Sequence, residues 1–327
     1  MAAIKLAWAG STAAAPGGLL SACANARAGF EGLFDPDAAA AEAAARRYGA
    51  RWPFPSLAEM LREVEPDLVI VADHLDRRAD LIRQCLRARA SVLCVGAPAA
   101  KPAAVTRLAQ TAARADRTVM IACGWRLSPA GVQARGLVEA GRIGEPLAVE
   151  CSLVRPALAG LPAEAGLPVD RDLLLEAFDT ASWLVGRPRA VYATSPADGM
   201  LAAVLGLGGR ASATVWVHRA GETNATAGRL VVRGAEGRRL LIVDGCRLEA
   251  RNAQALLAEY APRLGAGAEP VVETGVQGTI DEAVAAAARR RQPVGRVEDL
   301  LPAVAAVDAA ARSLRNHRPA SVADPRR

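Results

Sequence analysis

Histidine is scarce and cysteine never clusters: three histidines and six cysteines stand among 327 residues. Cys23, Cys85, Cys94, Cys123, Cys151 and Cys246 sit singly in apolar stretches, with no C-x-x-C pair and no Cys/His group. That excludes the usual zinc spacings, so no metal is expected, and six isolated thiols read as reduced and buried in a cytoplasmic protein. No apolar run reaches the roughly 18 residues of a membrane-spanning helix. The first residues, M-A-A-I-K-L-A-W-A-G, enter a strand directly, without a charged leader or a separate cleavage site. Lysine is nearly absent: of 40 basic residues, only Lys5 and Lys101 are lysines and 38 are arginines. The formal charge is +6 and the pI is near 9.3. The arginines are spread along the chain, with no basic helix and no patch interleaved with aromatics, so nucleic acid is not an expected partner. A G-x-S-x-G elbow, a Walker loop, an H-E-x-x-H helix and an EF-hand loop are all missing.

What is present suits a soluble two-domain protein. The length exceeds one typical domain, and 52% hydrophobic residues can fill two cores. Short apolar strands at 4–10, 30–34, 67–72, 91–95 and 118–123 alternate with helical stretches at 18–28, 38–48, 76–88 and 102–115. Such alternation predicts a parallel sheet covered on both faces. After Gly141 the texture changes. A strand over 146–155 and a helix over 172–185 precede strands at 189–195, 201–206, 210–218, 228–234 and 238–243, a run that predicts a large, mainly antiparallel sheet. Helices near 279–290 and 298–315 close the chain, and the tail S-V-A-D-P-R-R reads as frayed. The loop 156–170, rich in proline, glycine and alanine, reads as a mobile lid or a long connection. The fold class expected is α/β, with domains at 1–123 and 124–327.

Four local signatures follow one another in this second half. G-R-I-G-E-P spans 141–146, and Asp179-Thr-Ala-Ser-Trp183-Leu-Val-Gly186 lies on the next helix. Arg233-Gly-Ala-Glu-Gly237 sits between two strands, and Ile280-Asp281 begins a helix followed by a Q-P-V turn and a helix carrying Ser313. In order and spacing they resemble the Gfo/Idh/MocA family of glucose–fructose oxidoreductase and inositol dehydrogenase type. The resemblance implies an N-terminal Rossmann domain, a doubly wound parallel sheet that binds NAD or NADP. It also implies a C-terminal α/β domain whose open sheet forms the interface of a homo-oligomer. Family members oxidise or reduce a carbinol carbon, often on a sugar or cyclitol.

Several positions depart from the family's pattern. The phosphate loop reads Gly10-Ser11-Thr12-Ala13-Ala14-Ala15. Gly10 suits the tight turn and Ala15 replaces the third glycine acceptably. Thr12 puts a β-branched side chain where the second glycine lets backbone amides approach a pyrophosphate. Asp35 ends the second strand, where an acid holds the ribose hydroxyls of NAD; equally, Asp35-Pro36-Asp37 caps the next helix. The family's V-L-x-E-K-P lysine is missing, because the stretch reads V-L-C-V-G-A-P-A-A-K-P and Gly96 or Ala97 stands there. Lys101, about five residues on, is either a relocated amine or a solvated helix-start lysine.

On the helix over 172–185, Asp172 is retained but Glu176 replaces the family's acid/base histidine. One helical turn apart, the two carboxylates share a face and repel. Glu176 is thus a proton carrier or simply part of a polar face. At the third-strand exit the family's T-P-N-x-x-H becomes Asp73-His74-Leu75-Asp76-Arg77-Arg78. His74 is read as a pocket residue or an exposed neighbour of the helix cap. Trp125 and Arg126, in a shortened G-x-x-R-F-x-P stretch, are read as substrate-binding, with a plain salt bridge as the alternative for Arg126. The sequence reading is a divergent family member acting on a small polar, sugar-like or biosynthetic substrate by altered or non-redox chemistry, or a non-catalytic partner subunit. The alternative is an NAD(P)-dependent oxidoreductase with relocated proton-transfer residues.

Overall fold

The computed structural model describes residues 3–15, 18–156, 167–220, 227–252, 254–262, 275–288 and 293–323. Two compact units divide the chain. The first runs to Gly124 and takes in Val276–Leu300; the second holds Trp125–Ala266 and the chain from Leu301 onward. Residues 157–166 of the expected lid, and the last four residues of the tail, lie outside the described residues.

The chain opens with β1 (Lys5–Ala9), α1 (Leu19–Ala24), β2 (Gly29–Phe34), α2 (Ala38–Tyr48), β3 (Trp52–Phe54) and α3 (Leu57–Val64). Then come β4 (Leu68–Val71), α4 (Leu75–Arg87), β5 (Ser91–Cys94), α5 (Pro102–Ala115) and β6 (Val119–Ile121). The second half begins with α6 (Gly124–Leu127), α7 (Pro129–Glu139), β7 (Pro146–Pro156) and α8 (Arg171–Val185). Strands β8 (Ala190–Thr194), β9 (Met200–Gly206), β10 (Ser212–Ala220) and β11 (Ala227–Gly234) follow. After them run β12 (Arg239–Val243), β13 (Arg247–Arg251), β14 (Leu256–Tyr260), α9 (Val276–Ala287), α10 (Val297–Asn316) and β15 (Ala320–Ser321).

In the first unit six parallel strands lie in the order β3-β2-β1-β4-β5-β6. That is the doubly wound arrangement, and its order reverses between β1 and β4, where such sheets bind ligands. Strands β4, β5 and β6 are buried at every residue, which is why they read as unbroken apolar runs. Helix α2 starts where the Asp37 carboxylate accepts from the amides of Ala39 and Ala40, and stops at left-handed Gly49. The pair β3 and α3 was not anticipated, although Ser56 and Glu59 have capping-box spacing and Ser56 does accept from the Glu59 amide. Helix α1 is shorter than the expected 18–28. It starts after Gly18, at φ +79°, and ends at Asn25, whose amide bonds back to the Ser21 carbonyl. Helix α9 packs on α1, with Ile280 and Ala283 in one core with Leu19 and Leu20.

The second unit is built on a nine-stranded sheet, β14-β13-β12-β11-β7-β10-β9-β8-β15. Strands β7 and β10 pair in parallel and the other neighbours are antiparallel. One face is apolar and buried, carrying Val149, Cys151 and Leu153 of β7 and Val215 and Val217 of β10, and α8 packs on these two strands. The buried Ser313 of α10 accepts from the Ala193 amide of β8 at 3.0 Å. The other face leaves Tyr192, Val204 and Trp216 exposed on three adjacent strands, where Tyr192 pairs with Val204 and Trp216 with Ala202. Strands β13 and β14 were not expected; their charged, weakly alternating sequences lack the apolar run that marks the central strands.

Candidate active site

The residues at the β1 exit come together in the first unit. Gly10 has φ +120°, and a Cβ there would lie 2.1 Å from the Ala72 carbonyl oxygen, so only glycine fits where β1 passes β4. Its amide bonds to the Phe34 carbonyl at 3.0 Å. A single 3-10 turn over Thr12–Ala14 follows, closed by the Ala15 amide on the Thr12 carbonyl at 3.3 Å. In a dinucleotide fold the helix starts within the glycine motif and aims its first amides at the pyrophosphate. Here α1 begins only at Leu19 and is six residues long.

Asp35, 4% exposed, is engaged on both oxygens. Oδ2 accepts from the Thr12 amide at 2.7 Å and from Thr12 Oγ1 at 2.8 Å, while Oδ1 accepts from the Asp37 amide at 2.9 Å. Asp37, rather than Asp35, is the cap of α2.

Beside Gly10, Asp73 follows β4 and is 1% exposed. Its Oδ1 accepts from the His74 amide at 2.7 Å. Its Oδ2 lacks a hydrogen-bond donor and faces Arg77 Nη1 at 3.5 Å. His74 is the half-buried cap residue of α4, and its imidazole does not bond the helix end. Arg78, also buried, donates from Nε to the Asp73 carbonyl at 2.7 Å and from Nη1 to the Ala97 carbonyl at 3.0 Å. A guanidinium is therefore anchored against the loop bearing Ala97. Sequence reasoning did not single out Arg78; its signal is an arginine four residues after the cap, one turn along and facing the next loop. Lys101 is exposed and begins α5.

In the second unit α8 gathers the charged groups. Asp170 caps it, accepting from the Asp172 amide at 2.9 Å. Arg155, at the end of β7, donates from Nη2 to Glu176 Oε2 at 3.0 Å and from Nη1 to Asp170 Oδ2 at 3.4 Å. Burial pushes the Glu176 carboxyl above the ordinary carboxylate range. The Arg155 charge pulls it down, and the negative charges of Asp179, Asp172 and Asp170 add to the rise. Beside it, the Cys151 thiol is pushed up to about 12, chiefly by burial and further by the Glu176 charge. Arg155 was missed from sequence. Its signal is parity: it shares the inward register of Val149, Cys151 and Leu153, so a charge stands on an apolar face.

Arg126 and Asp179 form a buried bidentate pair, with Nε to Oδ2 at 2.8 Å and Nη2 on Oδ1. The Arg126 guanidinium also lies 5.7 Å from the Trp183 ring centroid. Trp125 is wedged against glycine: a Cβ at Gly228 would meet its ring at 2.6 Å, and one at Gly245 at 3.1 Å. Both residues that sequence offered as substrate-binding thus have structural partners inside this unit. Among the described residues, no group of three or more His, Cys, Asp or Glu is placed to hold a metal.

These features define a protein with a doubly wound, dinucleotide-type first unit and a second unit built on a mainly antiparallel sheet. The family model described as the Gfo/Idh/MocA oxidoreductase family, NAD-binding Rossmann fold, matches residues 10–123. Inositol 2-dehydrogenase 2 of Paenarthrobacter aurescens (strain TC1) is 32% identical over 140 residues; the match spans 40% of this chain and 40% of that relative. An oxidoreductase from Agrobacterium radiobacter, solved with NAD+, L-tartaric acid and magnesium, superposes with a TM-score of 0.81 at 17% identity, covering 98% of this chain and 99% of that one. A putative myo-inositol dehydrogenase from Sinorhizobium meliloti 1021 gives 0.76 at 22% identity, covering 98% and 100%. The family match thus covers the first unit, the chain spans 40% of the length of that curated relative, and the solved structures share its fold.

Proposed function

We propose that this chain is a family member repurposed away from ordinary hydride transfer, acting on a small polar, sugar-like or biosynthetic substrate by proton transfer from the α8 carboxylates. The observation that carries this reading is Glu176, a carboxyl whose pKa burial raises while Arg155 holds it in place. A carboxyl raised above its ordinary range is suited to give a proton, and Asp172, one turn away, is placed to take one. One proton taken from carbon and one given to a leaving hydroxyl balance a dehydration, and one taken from carbon and one returned to the neighbouring carbon balance an isomerisation, with no hydride moved. The proposal invokes no metal.

The family's nucleotide fits poorly with the residues at the β1 exit. Thr12 occupies the second glycine position, α1 starts late, and Asp35 is already bonded, so no step is routed through a nucleotide. The buried Arg126–Asp179 pair acts as a support that fixes α8, and Arg78 as a support for the loop bearing Ala97. His74, the half-buried cap residue of α4, is the imidazole nearest the β4 exit in sequence and is assigned a supporting role there. The exposed face of the nine-stranded sheet supports a homo-oligomer, and six buried free thiols support a cytoplasmic setting.

A second reading retains NAD(P)-dependent oxidoreduction, with Glu176, His74 or Lys101 carrying the proton. The strand order and an acid at the end of β2 favour it, and that acid would prefer NAD to NADP by repelling a 2′-phosphate.

The test is a panel of polyols, aldoses and keto-cyclitols incubated in D2O without nucleotide and followed by proton NMR. Water loss or carbon–deuterium exchange is expected with the wild type, and neither with Glu176→Gln or Asp172→Asn at unchanged circular dichroism. Reduction of NAD+ or NADP+ by any member of the panel in a parallel assay with added nucleotide, or full turnover by both variants, refutes the proposal.

A further inference from the structure

The acid that ends β2 already holds a hydroxyl. An ionised carboxylate offers about four lone-pair positions, and three bonds to Asp35 are present: two from Thr12 on Oδ2 and one from Asp37 on Oδ1. In a doubly wound domain an acid at this strand end takes the hydroxyls of a nucleotide ribose. Thr12 stands at the second glycine position of the loop, 23 residues before Asp35, and its Oγ1 reaches the carboxylate at 2.8 Å. The backbone amide of any residue at position 12 can make the 2.7 Å bond; the hydroxyl bond needs this side chain.

We propose that the Thr12 hydroxyl is an internal substitute for a ribose hydroxyl, closing the ribose acceptor of the first unit and deciding whether that unit takes a nucleoside-containing ligand. The hydroxyl itself carries the effect, rather than crowding at a pyrophosphate. To bind a ribose diol, Asp35 must first give up a hydrogen bond to a charged oxygen, one of the stronger kinds. Thr12 is only partly buried, so small substitutions there leave the core of the unit untouched.

Alanine and serine separate the two explanations, because both remove the β-branch and only serine keeps the hydroxyl. Isothermal titration with NAD+, 5′-AMP and 2′-deoxy-5′-AMP is the measurement. Thr12→Ala is expected to bind NAD+ and 5′-AMP about tenfold more tightly than the wild type, with Thr12→Ser within about threefold of it. The gain should vanish for 2′-deoxy-5′-AMP and in the double variant Thr12→Ala/Asp35→Ala. Equal tightening by alanine and serine, or no tightening by alanine, overturns the proposal. The result is a ratio between variants of one protein, so it stands or falls apart from the proton-transfer role of Glu176.

Discussion

Replacing Arg126 by methionine removes the bidentate partner of Asp179 while keeping an unbranched side chain against Trp183. Both members of the pair are nearly sealed from water, at 8% and 7% side-chain exposure, so Asp179 would lose two charge-assisted bonds on the buried side of α8. Removing one partner of a buried pair costs about 3–5 kcal/mol. In a unit of this size each kcal/mol lowers the melting temperature by about 2–4 °C, so a fall of about 10 °C is expected. Asp179→Leu alone takes both carboxylate bonds from the buried guanidinium and should cost a similar amount. The double variant Arg126→Met/Asp179→Leu removes both charges and should recover most of the loss. Urea titrations followed by circular dichroism give the three differences and the coupling between the sites. If Arg126 instead serves mainly to hold a ligand, Arg126→Met will lie within about 1 kcal/mol of the wild type. That result, or a double variant as unstable as the single, refutes the structural role.

Glu176 makes stability depend on pH in a definite direction. Its raised pKa means that the folded chain keeps a proton there which the unfolded chain releases once pH passes the ordinary carboxylate range. Stability should therefore be fullest below that range and fall as pH rises through the folded-state value. Melting temperatures measured against pH should lose this decline in Glu176→Gln; an unchanged profile refutes it. Carbon-13 titration should show Asp172→Asn lowering the Glu176 pKa and Arg155→Met raising it, since one removes a like charge and the other an opposite charge. On the open sheet, Trp216→Glu places a charge in the patch shared with Val204 and Tyr192. Light scattering should give the wild type a mass above the 33.9 kDa monomer and the variant the monomer mass. A monomeric wild type at micromolar concentration contradicts this. Burial pushes the thiols of Cys23, Cys85 and Cys151 up to about 12, so a disulfide exchange reagent should label them only after denaturant is added; rapid labelling of any of the three in native buffer contradicts their burial.

Much of the architecture was legible from the chain alone because the signals are local. Apolar runs such as Leu68–Val71 and Ser91–Cys94 mark strands buried on both faces, and the Asp37 and Gly49 signals bracket α2. The alternation of β7 through β12 separates the inward and outward faces of the large sheet, and Gly10 was recognisable as a turn glycine. Short or polar elements escaped, among them β3, α3, β13 and β14, since a few residues carry too little periodicity to stand out. The polar pairings escaped for another reason. Thr12 meets Asp35 across 23 residues, Arg155 meets Glu176 across 21, and Arg126 meets Asp179 across 53. The sequence displayed Asp35, Glu176 and Arg126 as candidates one by one, as ribose acid, proton carrier or substrate arginine, and gave no sign of Arg155 as a partner. Which carboxylate is satisfied and which is left with a raised pKa depends on strand register, helix rotation and burial, and these arise only when distant segments pack. Hydrophobic patterning is written along the chain, whereas the partner of a buried charge is chosen through space.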